Sequence, residues 1–176
     1  HYELLRRMVD PSEIVIPPMA FLPAAERYQL AAMLDSWVLD QVIERCAGML
    51  ERRPEVILSI NISGASLGDV GFQSHLRQRL AEHPRVASNL CLEITETAAI
   101  ANLDNALQLI SDLRVLGCRF ALDDFGSGLS SFAYLRSLPV DYLKIDGTFV
   151  RDMHQDPVDA AMVEAIHKVA RLMRVR

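Results

Sequence analysis

Four short apolar runs in this 176-residue chain each end in polar or charged residues, and helix-patterned stretches separate them. Residues 56–63 run apolar and β-branched to Asn61; residues 90–96 lead to Glu93, Thr95 and Glu96. Residues 118–124 carry Phe120 and Leu122 to the adjacent pair Asp123 and Asp124, and residues 140–146 end in Lys144 and Asp146. Strand–helix alternation with short loops predicts a parallel sheet covered by helices. The C-terminal tips of parallel strands gather on one face, where α/β folds place their chemistry.

The intervening segments read as helices. Residues 31–52 end before Pro54, with Leu34, Trp37, Val38, Val42 and Met49 on one face. Residues 70–82 are closed by Pro84, and 102–116 are capped by Asn102 and ended by Gly117, with Leu103, Ala106, Leu107, Ile110, Leu113 and Leu116 as the stripe. A short helix is expected at about 130–137. Asp156-Pro157-Val158-Asp159 opens another helix, whose buried side is expected from Val158, Met162, Ala165, Ile166, Val169 and Met173. Residues 1–8 read as a strand, and Pro11, Pro17, Pro18 and Pro23 as the loop after it. The chain begins without methionine and stops in mid-pattern, which reads as a piece of a longer protein.

A formal net charge of −5 argues against a general nucleic-acid binder but leaves room for a phosphate-bearing ligand if metal ions neutralise the site. Cys46, Cys91 and Cys118 lack metal-site spacing and read as free thiols in a reducing, cytoplasmic setting. No run reaches membrane-spanning length. His75, His83, His154 and His167 have no acidic or cysteine neighbour at ligand spacing and read as surface or satisfied histidines.

Adjacent carboxylates at a strand end repel unless a positive charge lies beside them. Asn61, Glu93, Asp123 and Asp124, on successive strands, form an oxygen-rich set that suits Mg²⁺ or Mn²⁺ better than zinc. Lys144 among them can offset charge, hold a water or stabilise a developing negative charge. The same residues also fit an internal ion-pair network, or a magnesium barrel of enolase type in which a lysine base acts on a carboxylate substrate. Gly126 and Gly128 mark a turn where backbone bends sharply or approaches a ligand.

The motifs Asn61-Ile62-Ser63, Glu93-Ile94-Thr95-Glu96, Asp123-Asp124-Phe125-Gly126-Ser127-Gly128 with Ser130-Ser131, and Leu138-Pro139-Val140-Asp141 through Lys144-Ile145-Asp146 occur in this order. In order and spacing they resemble the EAL family of cyclic di-GMP phosphodiesterases, as does residues 18–28. The resemblance implies an α/β fold, a modified TIM-type (β/α)8 barrel of which this chain holds about five of eight strands. It also implies two divalent cations, Mg²⁺ or Mn²⁺, and hydrolysis of cyclic di-GMP to the linear dinucleotide.

By that resemblance Glu3 is the glutamate of the family signature, here Glu3-Leu4-Leu5. Glu3, Asn61, Glu93 and Asp123 bind one metal, and Asp123 and Asp124 bear on the second. Lys144 holds the attacking water, and Glu96 braces the loop 125–131, which mediates dimer contact in some members. Arg7 meets a substrate phosphate, with Leu5 in the same binding segment. Leu4 replaces alanine, and Leu129 stands where an aromatic is common. The family's preceding strand and its last two strands, one bearing a later metal-binding glutamate, are not in this sequence. The resemblance further implies a sensor or cyclase-like domain upstream and a parent that is membrane-anchored in some cases. A non-catalytic receptor for cyclic di-GMP is the alternative; retention of every signature acid present in the chain favours hydrolysis.

Overall fold

The computed structural model describes residues 1–127 and 132–176, with the side chains of Phe132 and Ala133 left aside. In chain order it contains β1 (Tyr2–Glu3), β2 (Met8–Val9), β3 (Val15–Ile16), α1 (Pro18–Arg27), α2 (Ala31–Arg52), β4 (Leu58–Ile62), α3 (Gly64–Gly68), α4 (Val70–Glu82) and α5 (Pro84–Asn89). There follow β5 (Leu90–Thr95), α6 (Glu96–Ala101), α7 (Leu103–Arg114), β6 (Arg119–Phe125), α8 (Phe132–Leu135), β7 (Tyr142–Ile145), α9 (Gly147–Asp152) and α10 (Pro157–Leu172).

Five strands form one curled, parallel sheet in the order β1-β4-β5-β6-β7, a half-barrel. The strand period of two assigns its faces. Leu58, Ile60 and Ile62, Leu90, Leu92 and Ile94, and Phe120 and Leu122 are all buried, and they join Leu39, Val42, Leu76, Leu80, Leu109 and Ile110 from the helices in one core. Burying both faces of the central strands is what makes them read as continuous apolar runs. The intervening residues, Ser59 and Asn61, Cys91, Glu93 and Thr95, and Arg119, Ala121 and Asp123, line the opposite, inner face.

Register then sets the height of each tip. Asn61 lies level with Glu93, while Asp123 lies level with Thr95, one inward-facing step further on. Glu3 lies level with Ser59, one step back. Such stagger accompanies the strand tilt of a barrel, and it carries residues at different heights toward one point.

Helices over 31–52 and 70–82 form as the pattern predicts, and Asp156 caps α10 by accepting the Val158 N–H at 2.7 Å. Several expectations are corrected. Only Tyr2–Glu3 of residues 1–8 is strand in the main sheet; Met8–Val9 instead pairs antiparallel with Val15–Ile16. Its connection is held by Asp10, which accepts from the N–H groups of Ser12 and Ile14. The proline-rich stretch is not all loop: Pro18 opens α1 at its first turn, where a missing N–H costs nothing, and Pro23 sits inside it.

Trp37 is 56% exposed and lies off the buried face of α2, which Asp35, Leu39 and Ile43 share with Val38 and Val42. Asn102 makes no side-chain cap; its Nδ2 donates to the Ala98 carbonyl at 3.2 Å, and Leu109, absent from the expected stripe, is fully buried. On α10 only Ile166 and Ala170 are buried, so the buried stripe is turned away from Val158, Met162 and Ala165. The expected helix at 130–137 is seen as Phe132–Leu135; Ser130 and Ser131 lie outside the described residues.

Candidate active site

Lys144 on β7 is the centre of the inner face. Its Nζ lies 2.5 Å from Glu93 Oε2, 2.9 Å from Asp123 Oδ2 and 3.3 Å from Glu3 Oε2, so strands β5, β6 and β1 each direct a carboxylate at one ammonium. Asn61 from β4 joins by donating Nδ2 to Glu3 Oε1 at 2.9 Å. Burial pulls the Lys144 ammonium toward neutrality, but its hydrogen bonds and charge attraction to Glu93 and Asp123 outweigh this and hold its pKa well above the ordinary amine value. Three carboxylates with one amine leave the cluster net negative. Glu93, buried on a strand flanked on both sides, carries that charge in the least hydrated position.

Asp124 adopts a left-handed backbone, φ 54°, and the β6–β7 register shifts between Leu122 and Phe125. A bulge of this kind breaks strict alternation and re-aims a side chain, at about 1 kcal/mol for a non-glycine residue. Asp124 therefore shares the field of its neighbour: partial burial first, then the charges of Asp123 and Asp146, raise its pKa above the usual carboxylate value. Asp146 faces a different task, capping α9 through Thr148 at 2.6 Å.

Glu96 starts α6 and is 1% exposed. It accepts the Gly126 N–H at 2.9 Å and a hydrogen bond from the Tyr134 hydroxyl, so it ties both ends of the segment following Asp124. Burial and the Glu96 contact push the Tyr134 pKa upward, which keeps it a donor. Sequence patterning gave no signal for Tyr134; its role depends on a contact 38 residues away. Gly128 and Leu129 of this loop lie outside the described residues.

Gly126 has φ 101°, and a Cβ there would stand 2.9 Å from Phe149 Cε2. Gly126→Ala is thus expected to cost about 1–2 kcal/mol from backbone conformation alone and to pull the N–H from Glu96. Urea unfolding checks the first effect, and a shortened lifetime of the Gly126 amide in hydrogen exchange checks the second.

The structure does not bring Arg7 or Leu5 into the acidic cluster. Arg7 Nη1 donates to the Arg6 carbonyl at 2.7 Å, and among the described residues Arg7 makes no ion pair. It lines a largely apolar cavity of about 670 Å³ with Phe21, Tyr28 and Trp37. Leu5 is 61% exposed and lines a smaller cleft with Asn61, Pro18 and Glu26. Sequence reading also missed Asp35, which is buried on α2. It accepts from Arg6 Nη1 at 2.7 Å, Ser63 N–H at 2.8 Å and Ser66 Oγ at 2.6 Å, fastening the segment after β1 to the end of β4.

His75 reads as expected for a satisfied histidine, although it does find an acid, Asp40, at 3.1 Å. Cys91 and Cys118 are buried, and burial pushes both thiols up to about 12. Thiol reagent at neutral pH is expected to label Cys46 alone in the native chain and all three cysteines in urea. An acid whose folded pKa exceeds its unfolded value stabilises fully below the latter. The Cys118 contribution is therefore present below pH 9.0 and lost as pH rises toward about 12.

The donor set fits a hard divalent cation. Oxygens of Glu3, Glu93 and Asp123 already converge on a positive charge, with the Asn61 amide against Glu3 and Asp124 adjoining Asp123. The EAL domain model matches residues 1–176. The chain is 38% identical over 98% of its length to cyclic di-GMP phosphodiesterase PdeB of Shewanella oneidensis, of which it covers 20%. It thus spans about a fifth of that relative.

Among solved structures it resembles the PaMucR phosphodiesterase in complex with c-di-GMP, with a TM-score of 0.85, 34% identity, and coverage of 98% of this chain and 70% of that one. It likewise resembles the FimX EAL domain of Pseudomonas aeruginosa bound to c-di-GMP, with a TM-score of 0.82, 30% identity, and coverage of 98% and 69%. The five parallel strands with their inward acidic tips are therefore a half-barrel of TIM type, and the chain belongs to the EAL domain family.

Proposed function

We propose that this chain is the catalytic part of a phosphodiesterase that hydrolyses cyclic di-GMP to the linear dinucleotide. The observation that carries the reading is the meeting of Glu3, Glu93 and Asp123, from three strands, on one cationic centre with Asn61 beside them. A dianionic dinucleotide cannot enter such a pocket unaided. Mg²⁺ or Mn²⁺ held by Glu3, Asn61, Glu93 and Asp123, with Asp123 and Asp124 serving a second ion, would invert the field and supply a hydroxide-like nucleophile near neutral pH.

The chain's own residues do the rest. Lys144 stays protonated, and with cations satisfying the carboxylates its three N–H groups would be released from Glu3, Glu93 and Asp123 to hold the attacking water and share the charge that builds on phosphorus oxygens. Water adds to one phosphorus, one P–O ester bond opens, and the water's proton passes to the leaving oxygen. Glu96 fixes the backbone after Asp124 through Gly126 and so sets the angle of the Asp123–Asp124 pair. Arg7 reaches a substrate phosphate by leaving the Arg6 carbonyl, an exposed hydrogen bond that costs little to break.

The relatives' names supply a wider setting: MucR of Pseudomonas aeruginosa is a bifunctional diguanylate cyclase and phosphodiesterase, and a Vibrio cholerae LapD structure joins GGDEF to EAL. A cyclase-like domain before this chain, and dimer contact through the loop after Asp124, belong to the same proposal. No helix among the described residues is long and apolar enough to cross a membrane. A cytoplasmic site of action accords with the substrate.

Incubation of the full-length protein with cyclic di-GMP and Mg²⁺ or Mn²⁺ tests the reading. Linear dinucleotide as product, absent with chelator, supports it. Tight binding without turnover in either metal would assign a receptor instead.

A further inference from the structure

The acidic cluster leaves a second set of ligand atoms one step lower on the same face. Cys91 precedes Glu93 by two residues on β5 and so points inward beneath it. Ser59 lies level with Cys91 on the neighbouring strand β4, and the Ser59 hydroxyl lies 2.6 Å from His1 Nε2. Tyr142 meets the His1 ring edge-on at 5.2 Å between centroids. A ring nitrogen of His1, the sulfur of Cys91 and a carboxylate oxygen of Glu93 all lie within 4.8 Å of one another.

These donors differ in kind from those above them. Imidazole and thiolate select zinc over magnesium, whereas carboxylates and an amide do the reverse; the ion displaces the Cys91 thiol proton, which leaves to water as the Zn–S bond forms. Tetrahedral zinc with bonds of about 2.0–2.3 Å sets its ligands roughly 3.3–3.8 Å apart. Movements of about an ångström in the exposed His1 ring and the Glu93 side chain would close the triangle, with water as fourth ligand. Ser59 plays the part of the outer partner that orients a ligating histidine. Glu93 belongs to both sets, and its Oε2 is the closest partner of Lys144 at 2.5 Å. A soft ion that engages Glu93 therefore draws it from Lys144 and from the oxygen cluster.

We propose that His1, Cys91 and Glu93, braced by Ser59, form a zinc site at the floor of the half-barrel, and that its occupation inhibits the enzyme by withdrawing Glu93. The inhibition rests on the phosphodiesterase reading; the metal site does not.

The test is a titration of the full-length protein with Co²⁺, a spectroscopic substitute for Zn²⁺, in excess Mg²⁺. The expected result is a near-ultraviolet thiolate-to-cobalt band saturating at one ion per chain. It vanishes in Cys91→Ser and persists in Cys118→Ser and Cys46→Ser, while cobalt affinity falls at least about tenfold in His1→Ala. No band, or a band that survives Cys91→Ser or depends on Cys118, overturns the site. Should Cys91→Ser not fold, unchanged cobalt affinity in His1→Ala overturns it equally.

A slight molar excess of Zn²⁺ is then expected to slow hydrolysis about tenfold in the parent, and far less in His1→Ala. Equal slowing in both overturns the inhibition. A protein that shows the band but never hydrolyses cyclic di-GMP defeats the phosphodiesterase reading and leaves the zinc site standing; a hydrolase with no band does the opposite.

Discussion

Hydrolysis of cyclic di-GMP is expected to fall by about a thousandfold or more in Asp123→Asn, since a divalent ion supplies several kcal/mol of transition-state stabilisation and each 1.36 kcal/mol is a factor of ten. Asp123 is the one carboxylate that bears on both proposed ions. It also gives Oδ2 to Lys144 at 2.9 Å and Oδ1 to the Asp124 N–H at 3.0 Å. The amide keeps the size and can keep one hydrogen bond, so the substitution removes charge without emptying space. Folding stability is expected to stay within about 1 kcal/mol, because relief of repulsion among three carboxylates offsets the weakened Lys144 contact. Product formation followed by nucleotide separation, with thermal unfolding alongside, distinguishes loss of chemistry from loss of fold. Turnover within tenfold of the parent would remove Asp123 from the metal site.

The largest effect on stability is expected from Asp35→Ala, about 3 kcal/mol by chemical denaturation. Asp35 has a fully buried carboxylate facing Arg6, whose side chain is only 17% exposed. Deleting it strands a guanidinium along with the Ser63 N–H, and leaves the Ser66 hydroxyl only its Ser63 Oγ partner at 2.9 Å; unsatisfied buried donors each carry a penalty. The damage should also reach the site, because Arg6 lies three residues from Glu3 and Ser63 two from Asn61. Weaker Mn²⁺ binding in a still-folded Asp35→Asn would show that the network positions those ligands. A loss under about 1 kcal/mol in Asp35→Ala would mean that water replaces the carboxylate easily.

What the sequence revealed, and what it concealed, divides by range. Helices such as Ala31–Arg52 and Val70–Glu82 are written in local periodicity and prolines, and they were legible to their ends. Strand tips were legible because parallel strands impose a common direction: Asn61, Glu93, Asp123 and Lys144 need only end their strands to meet. The Met8–Val9 hairpin and α1 were obscured by prolines, which suit a helix's first turn as well as a loop. The stripe of α10 could not be phased, since its apolar residues surround too much of the helix to say which side a sheet will cover. Asp124 was seen as an acid but not as a left-handed residue, a state imposed by the bulge beside β7. His1 and Cys91 escaped because ligand-spacing rules look along the chain, whereas β1, β4 and β5 bring them together from 90 residues apart. Asp35 was hidden for the same reason: an acid on a helix face reads as solvated until its partners are known.

In the proposed enzyme, separate strands aim acidic tips at a shared pair of divalent cations. An anomalous difference map from crystals of the full-length protein grown with Mn²⁺ tests it most directly. The expected map has a peak bounded by Glu3, Asn61, Glu93 and Asp123 at metal–oxygen distances of about 2.1 Å, with Lys144 drawn back to admit it and a second peak at Asp123 and Asp124. Manganese bound elsewhere, with Lys144 still clasped by the three carboxylates, would contradict it.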